Sequence, residues 1–188
     1  MKCSDNMSTS EVLHEVKKFV EKRDIENIVV ASTSGETGVK AAETFEDMDV
    51  ELAIVGHCTG FSEENEQEMK EENKKKIEEL GGEVTIGPMI FHNIKGPIKE
   101  SSGSSSHDLV ADVLRLFGQG TKVALECVLA ACDAGLVDSG KDVVSVAGSG
   151  GGADTGLLVR SANSMDLFDS RIREVVVKPS KLENLVYY

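Results

Sequence analysis

The chain has 188 residues, with 33 Asp and Glu against 20 Lys and Arg and a formal charge of -13. That acidity excludes a nucleic-acid binder reading the phosphate backbone, which needs a basic face, and a polybasic membrane-surface protein. The length suits one domain with a real core. No apolar run approaches the roughly 20 residues of a membrane span, and residues 1–18 lack the basic-then-apolar order of a signal peptide, so the expectation is a cytoplasmic protein.

Ser8 and Glu11 have capping-box spacing. Val12, Leu13, Val16, Phe19 and Val20 then recur at helical intervals, predicting a helix that ends near Asp24. Ile28 to Ala31 is a short apolar run, the pattern of a strand buried on both faces. Thr37 to Asp47 reads as a helix and Val50 to Val55 as a second buried strand. The densest charge run, Glu63 to Glu79, predicts a helix with a solvated face, or a segment capping a site. Glu83 to Ile86 is a third strand. Residues 87–106, with Pro88, Pro97 and the tract SSGSSS, read as a long loop insertion.

Two helices are expected next, over 107–117 and 121–134. The second is apolar nearly all round, the mark of a buried helix. Val143 to Ala147 and Leu157 to Val159 are the fourth and fifth strands. A C-terminal extension over 161–188 holds Arg173 to Lys178, an expected edge strand. Helices alternating with short apolar strands predict a single α/β domain over 1–188, a three-layer sandwich with a mostly parallel sheet. The cysteines, Cys3, Cys58, Cys127 and Cys132, have no CxxC spacing and read as reduced thiols.

Four segments after strands carry chemistry. Ser32-Thr33-Ser34-Gly35-Glu36-Thr37-Gly38 joins a strand to a helix. Helix N-terminal amides and four hydroxyls favour an anion there, and Gly35 and Gly38 permit close approach of backbone. The alternative is a tight turn whose Ser and Thr merely cap the helix. Gly148-Ser149-Gly150-Gly151-Gly152-Ala153-Asp154-Thr155 follows the fourth strand. It suits either a close approach to ligand or a flexible connection, and it is not a dinucleotide fingerprint.

Gly56-His57-Cys58-Thr59-Gly60-Phe61 follows the second strand and reads as ligand lining or ordinary loop. A Cys–His nucleophile pair is disfavoured because adjacent strand residues face opposite ways. A metal set of His57, Cys58, His92 and His107 fits no ligand spacing. Gly87-Pro88-Met89-Ile90-Phe91-His92-Asn93 is either core folded under a loop or an apolar wall for a flat ligand.

Two of these stretches have a joint likeness. IVVASTSGETG resembles the strand and phosphate loop that opens the C-terminal, regulatory domain of pyruvate kinases. ALECVLAACDAGLVDSGKDVVSVAGSGGGADTGLLV resembles the later part of that domain, with Gly135-Leu136, Gly140, Asp142, Val143 to Val146, Gly148 to Gly150 and Thr155 in the corresponding places. The chain has no room for a catalytic barrel of about 250 residues. The resemblance therefore implies a stand-alone relative of that domain, without pyruvate kinase activity. It implies a strand order like 3-2-1-4-5, with the first and fourth strands adjacent where ligands bind in open α/β sheets.

On that order the two glycine-bearing loops share one crevice, flanked by His57, Cys58, Thr59, Phe61, Met89 and Phe91. The expected ligand is a phosphorylated small molecule, first flavin mononucleotide (FMN), with a terminal phosphate, a polyol stem and a planar ring. The residues expected to bind it are Ser32, Thr33, Ser34, Gly35, Thr37, Gly38, Gly148, Ser149, Gly150, Gly151 and Thr155 together with those flanking residues. Two alternatives stand beside it. One is an enzyme acting on a sugar phosphate with His57 or His92 as acid and base. The other is a regulatory or assembly module, a homo-oligomer pairing through Val175-Val176-Val177 and Leu185-Val186-Tyr187-Tyr188.

Overall fold

A computed structural model describes residues 1–91, 103 and 106–185. The strands are β1 (Lys2–Cys3), β2 (Asn27–Ala31), β3 (Glu51–Gly56), β4 (Glu83–Ile86), β5 (Asp142–Ala147), β6 (Thr155–Arg160) and β7 (Arg171–Lys178). The α-helices are α1 (Thr9–Arg23), α2 (Glu36–Phe45), α3 (Glu71–Glu79), α4 (Ser106–Arg115) and α5 (Gln119–Asp133). The capping box at Ser8 and Glu11 starts α1, each side chain bonding the other's backbone amide.

All seven strands form one sheet in the order β1-β7-β6-β5-β2-β3-β4. Its middle strands are fully buried at Ile28, Val29, Val30, Val143, Val144 and Val146 because helices cover both faces. One face packs on α1, α2 and α3 through Val12, Leu13, Val16, Ala41, Phe45 and Ile77. The other packs on α4 and α5 through Ala111, Ala124, Val128 and Leu129. At roughly 25 cal/mol per Å² of apolar area, these two layers supply most of the stabilisation.

The sheet is mixed because one strand, β6, runs against the other six. β4, β3, β2 and β5 pair in parallel with one another, as does β1 with β7, whereas β6 is antiparallel to both β5 and β7. The reason lies in the connection. Parallel neighbours need a crossover of a dozen or more residues. Residues 148–154 form a short return instead, closed by the Asp154 amide on the Ala147 carbonyl at 3.0 Å. A correction concerns Arg173 to Lys178. This strand is not the sheet's edge, because β1 pairs beyond it at Val177 and Lys178.

The charge run also differs from expectation. Only Glu71 to Glu79 is helical. Upstream, Gln67 anchors the chain instead: its amide donates to the His57 carbonyl and Thr59 Oγ1, and its carbonyl accepts from the Met69 amide. Met69 is buried there at 4% exposure, so side-chain bonds and one apolar anchor replace helix bonds. Most of the expected loop insertion, including His92, lies outside the described residues, as do Val186 to Tyr188. Among the described residues no helix is long and apolar enough to cross a membrane.

Candidate functional site

Because β2, β3, β4 and β5 are parallel, the loops leaving their carboxyl ends gather on one side of the sheet. From β2 the chain continues to neighbouring β3, and from β5 it continues the opposite way to β6. The crevice between these divergent connections is where open α/β sheets bind ligands. A cavity of about 510 Å³ lies there, within the range of small-molecule pockets.

One wall is made by loops. Ser32, Thr33, Ser34 and Thr37 line it from the β2–α2 turn, and Gly148, Gly150 and Gly151 line it from the β5–β6 turn. The two segments separated by over a hundred residues thus border the same space. His57, Phe61 and Met89 complete this side, with the His57 and Phe61 ring centroids 4.1 Å apart.

Seven of the expected residues are not on the cavity wall, and their environments say why. Gly35 has φ +89°, and a Cβ there would meet Asn73 Cβ at 2.5 Å. This glycine serves the packing of α2 on the start of α3. Gly38 likewise abuts Ile77 and Ile54 in the core. Thr155 is 1% exposed, hydrogen-bonded to Asp154 at 2.6 Å and covered by Gly120 of α5. Phe91 is buried in the core cluster beneath α5. Cys58, Thr59 and Ser149 border the site loops without lining the cavity.

The start of α2 is partly satisfied from within. Ser32 Oγ accepts from the Gly38 amide at 3.0 Å, the Gly35 carbonyl accepts from Val39, and Ser34 Oγ accepts from Glu36. Of the four first-turn amides that a helix leaves open, those of Gly35 and Thr37 are outside these bonds. An anion at this turn would therefore meet mainly the hydroxyls of Thr33, Ser34 and Thr37. Glu36, at the same turn, has its carboxyl held below the usual range by the Lys70 ammonium, 2.8 Å away.

Three side chains form a polar series along the loop wall. Glu68 Oε2 lies 2.9 Å from His57 Nδ1, and His57 Nε2 lies 3.4 Å from Thr33 Oγ1. His57 and Glu68 are each about a quarter exposed at the side chain, 27% and 28%. They are reachable from solvent yet held by each other.

The opposite wall comes from α4 and α5. Arg115, Gln119, Lys122 and Glu126 line it together with Val123, Cys127 and Ala130. Lys122 is 1% exposed and paired with Glu126, which also accepts from the Phe91 amide at 2.6 Å. Arg115 is 7% exposed and bonds Gln119 and Asp112, each at 2.8 Å. Burial pushes the Cys127 thiol far up, away from the thiolate form. None of these wall residues, nor Glu68, follows from the loop motifs. Their signal was a Lys and a Glu four apart in a helix otherwise apolar all round, a pair that only a mutual contact makes tolerable there.

No known family model matches the chain. Solved structures similar over part of it include a pyruvate kinase from Cryptosporidium parvum, 12% identical, TM-score 0.43, covering 82% of this chain and 23% of that one. A hydrogen sulfide-producing enzyme from Fusobacterium nucleatum is 19% identical, TM-score 0.33, over 50% of this chain and 29% of its own. An O-ureido-L-serine synthase is 19% identical, TM-score 0.33, over 68% of this chain and 38% of its own. The chain spans well under two thirds of each. At these scores the likeness reaches neither family nor activity.

Proposed function

We propose that this protein binds a phosphorylated small molecule carrying a planar ring, FMN first, in the cavity between β2 and β5. One observation carries the proposal: the Ser/Thr turn after β2 and the glycine turn after β5 line the same cavity of about 510 Å³. Thr33, Ser34 and Thr37 offer hydroxyl donors for phosphate oxygens, and Arg115 and Lys122 add cationic groups to the far wall. His57, Phe61 and Met89 give the space an apolar, aromatic side suited to a flat ring. On the same footing we take the chain as a relative of the pyruvate kinase C-terminal domain. Supporting this are the two sequence stretches quoted above and the neighbouring positions of their strands.

The test is the visible spectrum of the purified protein followed by a fluorescence titration of FMN. A yellow protein, or quenching that saturates with one FMN per chain, is expected. A colourless protein with no quenching up to millimolar FMN overturns the flavin assignment. Inorganic phosphate that displaces bound flavin would locate the phosphate end.

A further inference from the structure

Thr33, His57 and Glu68 stand in the order hydroxyl, imidazole, carboxylate, and Thr33 and His57 line the cavity. We propose that these three residues make the cavity a hydrolytic active site for small carboxylic esters, with Thr33 as nucleophile, His57 as general base and acid, and Glu68 as the positioning carboxylate.

The geometry supplies the hydroxyl, the base and the positioning carboxylate this chemistry uses. A hydroxyl becomes a useful nucleophile when a neighbouring base takes its proton, and the base works best when a third group fixes its tautomer. With Nδ1–H donating to Glu68 at 2.9 Å, His57 Nε2 is left to accept from Thr33. The 3.4 Å separation of Nε2 and Thr33 Oγ1 is at the long end for a hydrogen bond, and nucleophile–base pairs of this kind tighten in the reacting complex. Thr33 also stands in a telling place. Ala31-Ser32-Thr33-Ser34-Gly35 spans the turn from a central strand into a helix. Hydrolases of layered α/β architecture present their nucleophile at such a turn. The turn departs from the G-x-S-x-G pattern by an Ala for the first Gly and a Thr for the Ser. Phe61 and Met89 along the cavity suit an ester with an aromatic alcohol.

The step balances without a metal or an oxidant. Thr33 Oγ1 attacks the ester carbonyl carbon while its proton passes to His57 Nε2, and the carbonyl electron pair moves onto oxygen. The tetrahedral species then expels the alcohol, which leaves with the proton from His57. That leaves an acyl-Thr33 ester. Water gives a proton to His57, attacks the acyl carbon and displaces Thr33, which regains its proton. Ester and water become acid and alcohol.

The probe is para-nitrophenyl acetate, added to the full chain without flavin, so the outcome is independent of the FMN titration. A rapid release of nitrophenol with one acetyl group on Thr33, located by peptide mass spectrometry, is expected. Thr33→Val should abolish both, and His57→Ala should slow acylation roughly 100-fold or more. His14→Ala, at an exposed histidine of α1, should leave the rate unchanged. Thr33→Ser keeps the hydroxyl and should remain active, which answers the case in which Thr33→Val does not fold. Glu68→Ala should lower kcat at least ten-fold with KM unchanged. It should also shift the neutral His57 ring from the Nδ1–H to the Nε2–H form in nitrogen-15 NMR. Acetyl groups found only on lysines or histidines overturn the proposal, as does a folded His57→Ala or a folded Thr33→Ser that fails these expectations.

Discussion

The two walls of the cavity are built on different physics. The loop wall is made of hydroxyls, glycines, one imidazole and the side chains of Phe61 and Met89 at the ends of parallel strands, and all but the buried Ser32 are half-buried or exposed. The helix wall is made of charges that solvent barely reaches, with Lys122 at 1% and Glu126 at 3% exposure. Neutral donors can wait for a ligand in contact with water at little cost. A buried ammonium cannot, and must hold a counter-charge in the empty protein. The loop wall is therefore free to be specific, while the helix wall is bound to be structural first. Whatever Lys122 does for a ligand, it does from within a pair that the fold already needs.

The largest effect should come from splitting that pair. Lys122→Met leaves the Glu126 carboxylate buried and without its cation, a loss of about 3–5 kcal/mol. For a chain of this size that corresponds to a fall in Tm of roughly 10 °C. The double variant Lys122→Met with Glu126→Gln should recover most of it, because Gln still accepts from the Phe91 amide. Thermal unfolding of the single and double variants measures the coupling. A single variant that melts with the wild type would show the pair to be wet, and the contrast between the walls would dissolve.

The glycines of the two turns differ as well, and a matched pair of substitutions separates one that packs from one that faces the cavity. Gly35→Ala puts a Cβ 2.5 Å from Asn73 Cβ and 2.8 Å from Met69 Sδ at φ +89°. Strain and crowding together should destabilise by about 2–3 kcal/mol. At Gly151 an added Cβ meets nothing within 4 Å, so Gly151→Ala should change stability by less than about 0.5 kcal/mol. Its methyl enters ligand space, however, and should weaken FMN binding. Melting curves read the first difference and fluorescence titration the second. Equal FMN affinity in Gly151→Ala and wild type would take the glycine turn out of the ligand's reach.

What residue spacing reveals and what it hides follows the same division. The buried strands are legible because a strand covered on both faces reads as an unbroken apolar run, as at Ile28 to Ala31 and Val143 to Ala147. The β2–α2 turn is legible because hydroxyls and glycines between a strand and a helix mark a helix start, and Ser32 and Ser34 do accept from its first-turn amides. The mixed direction of the sheet is not, since nothing in GSGGGADTG states whether the chain crosses over or returns. Glu68 is hidden because it sits in a run of acids and lysines, where composition predicts a solvated helix. Only the folded chain shows Gln67 and Met69 pinning that run so that one carboxylate reaches His57. Lys122 and Glu126 lie between: a four-residue spacing marks them as partners, while their place on the cavity comes from how α5 crosses the sheet.

The smallest effect belongs to the exposed ion pair at the foot of the loop wall. Lys70 bonds Glu36 at 2.8 Å and lowers its carboxyl below the ordinary value of 4.5. A depressed carboxyl contributes stability above its unfolded value and loses it as pH falls through the folded one. The pair ties the first turn of α2 to the residue before α3, so its contribution should be present at neutral pH and fade once pH drops below about 4.5. Melting wild type beside Glu36→Gln from neutral to acid pH should show a small gap that closes with acidification, as expected for a solvent-exposed pair. The same substitution removes a negative charge from the cavity's rim, so FMN affinity should rise slightly while stability falls. A gap that stays constant with pH would mean that Glu36 acts through its shape at the helix start, and the loop wall would then owe nothing to charge.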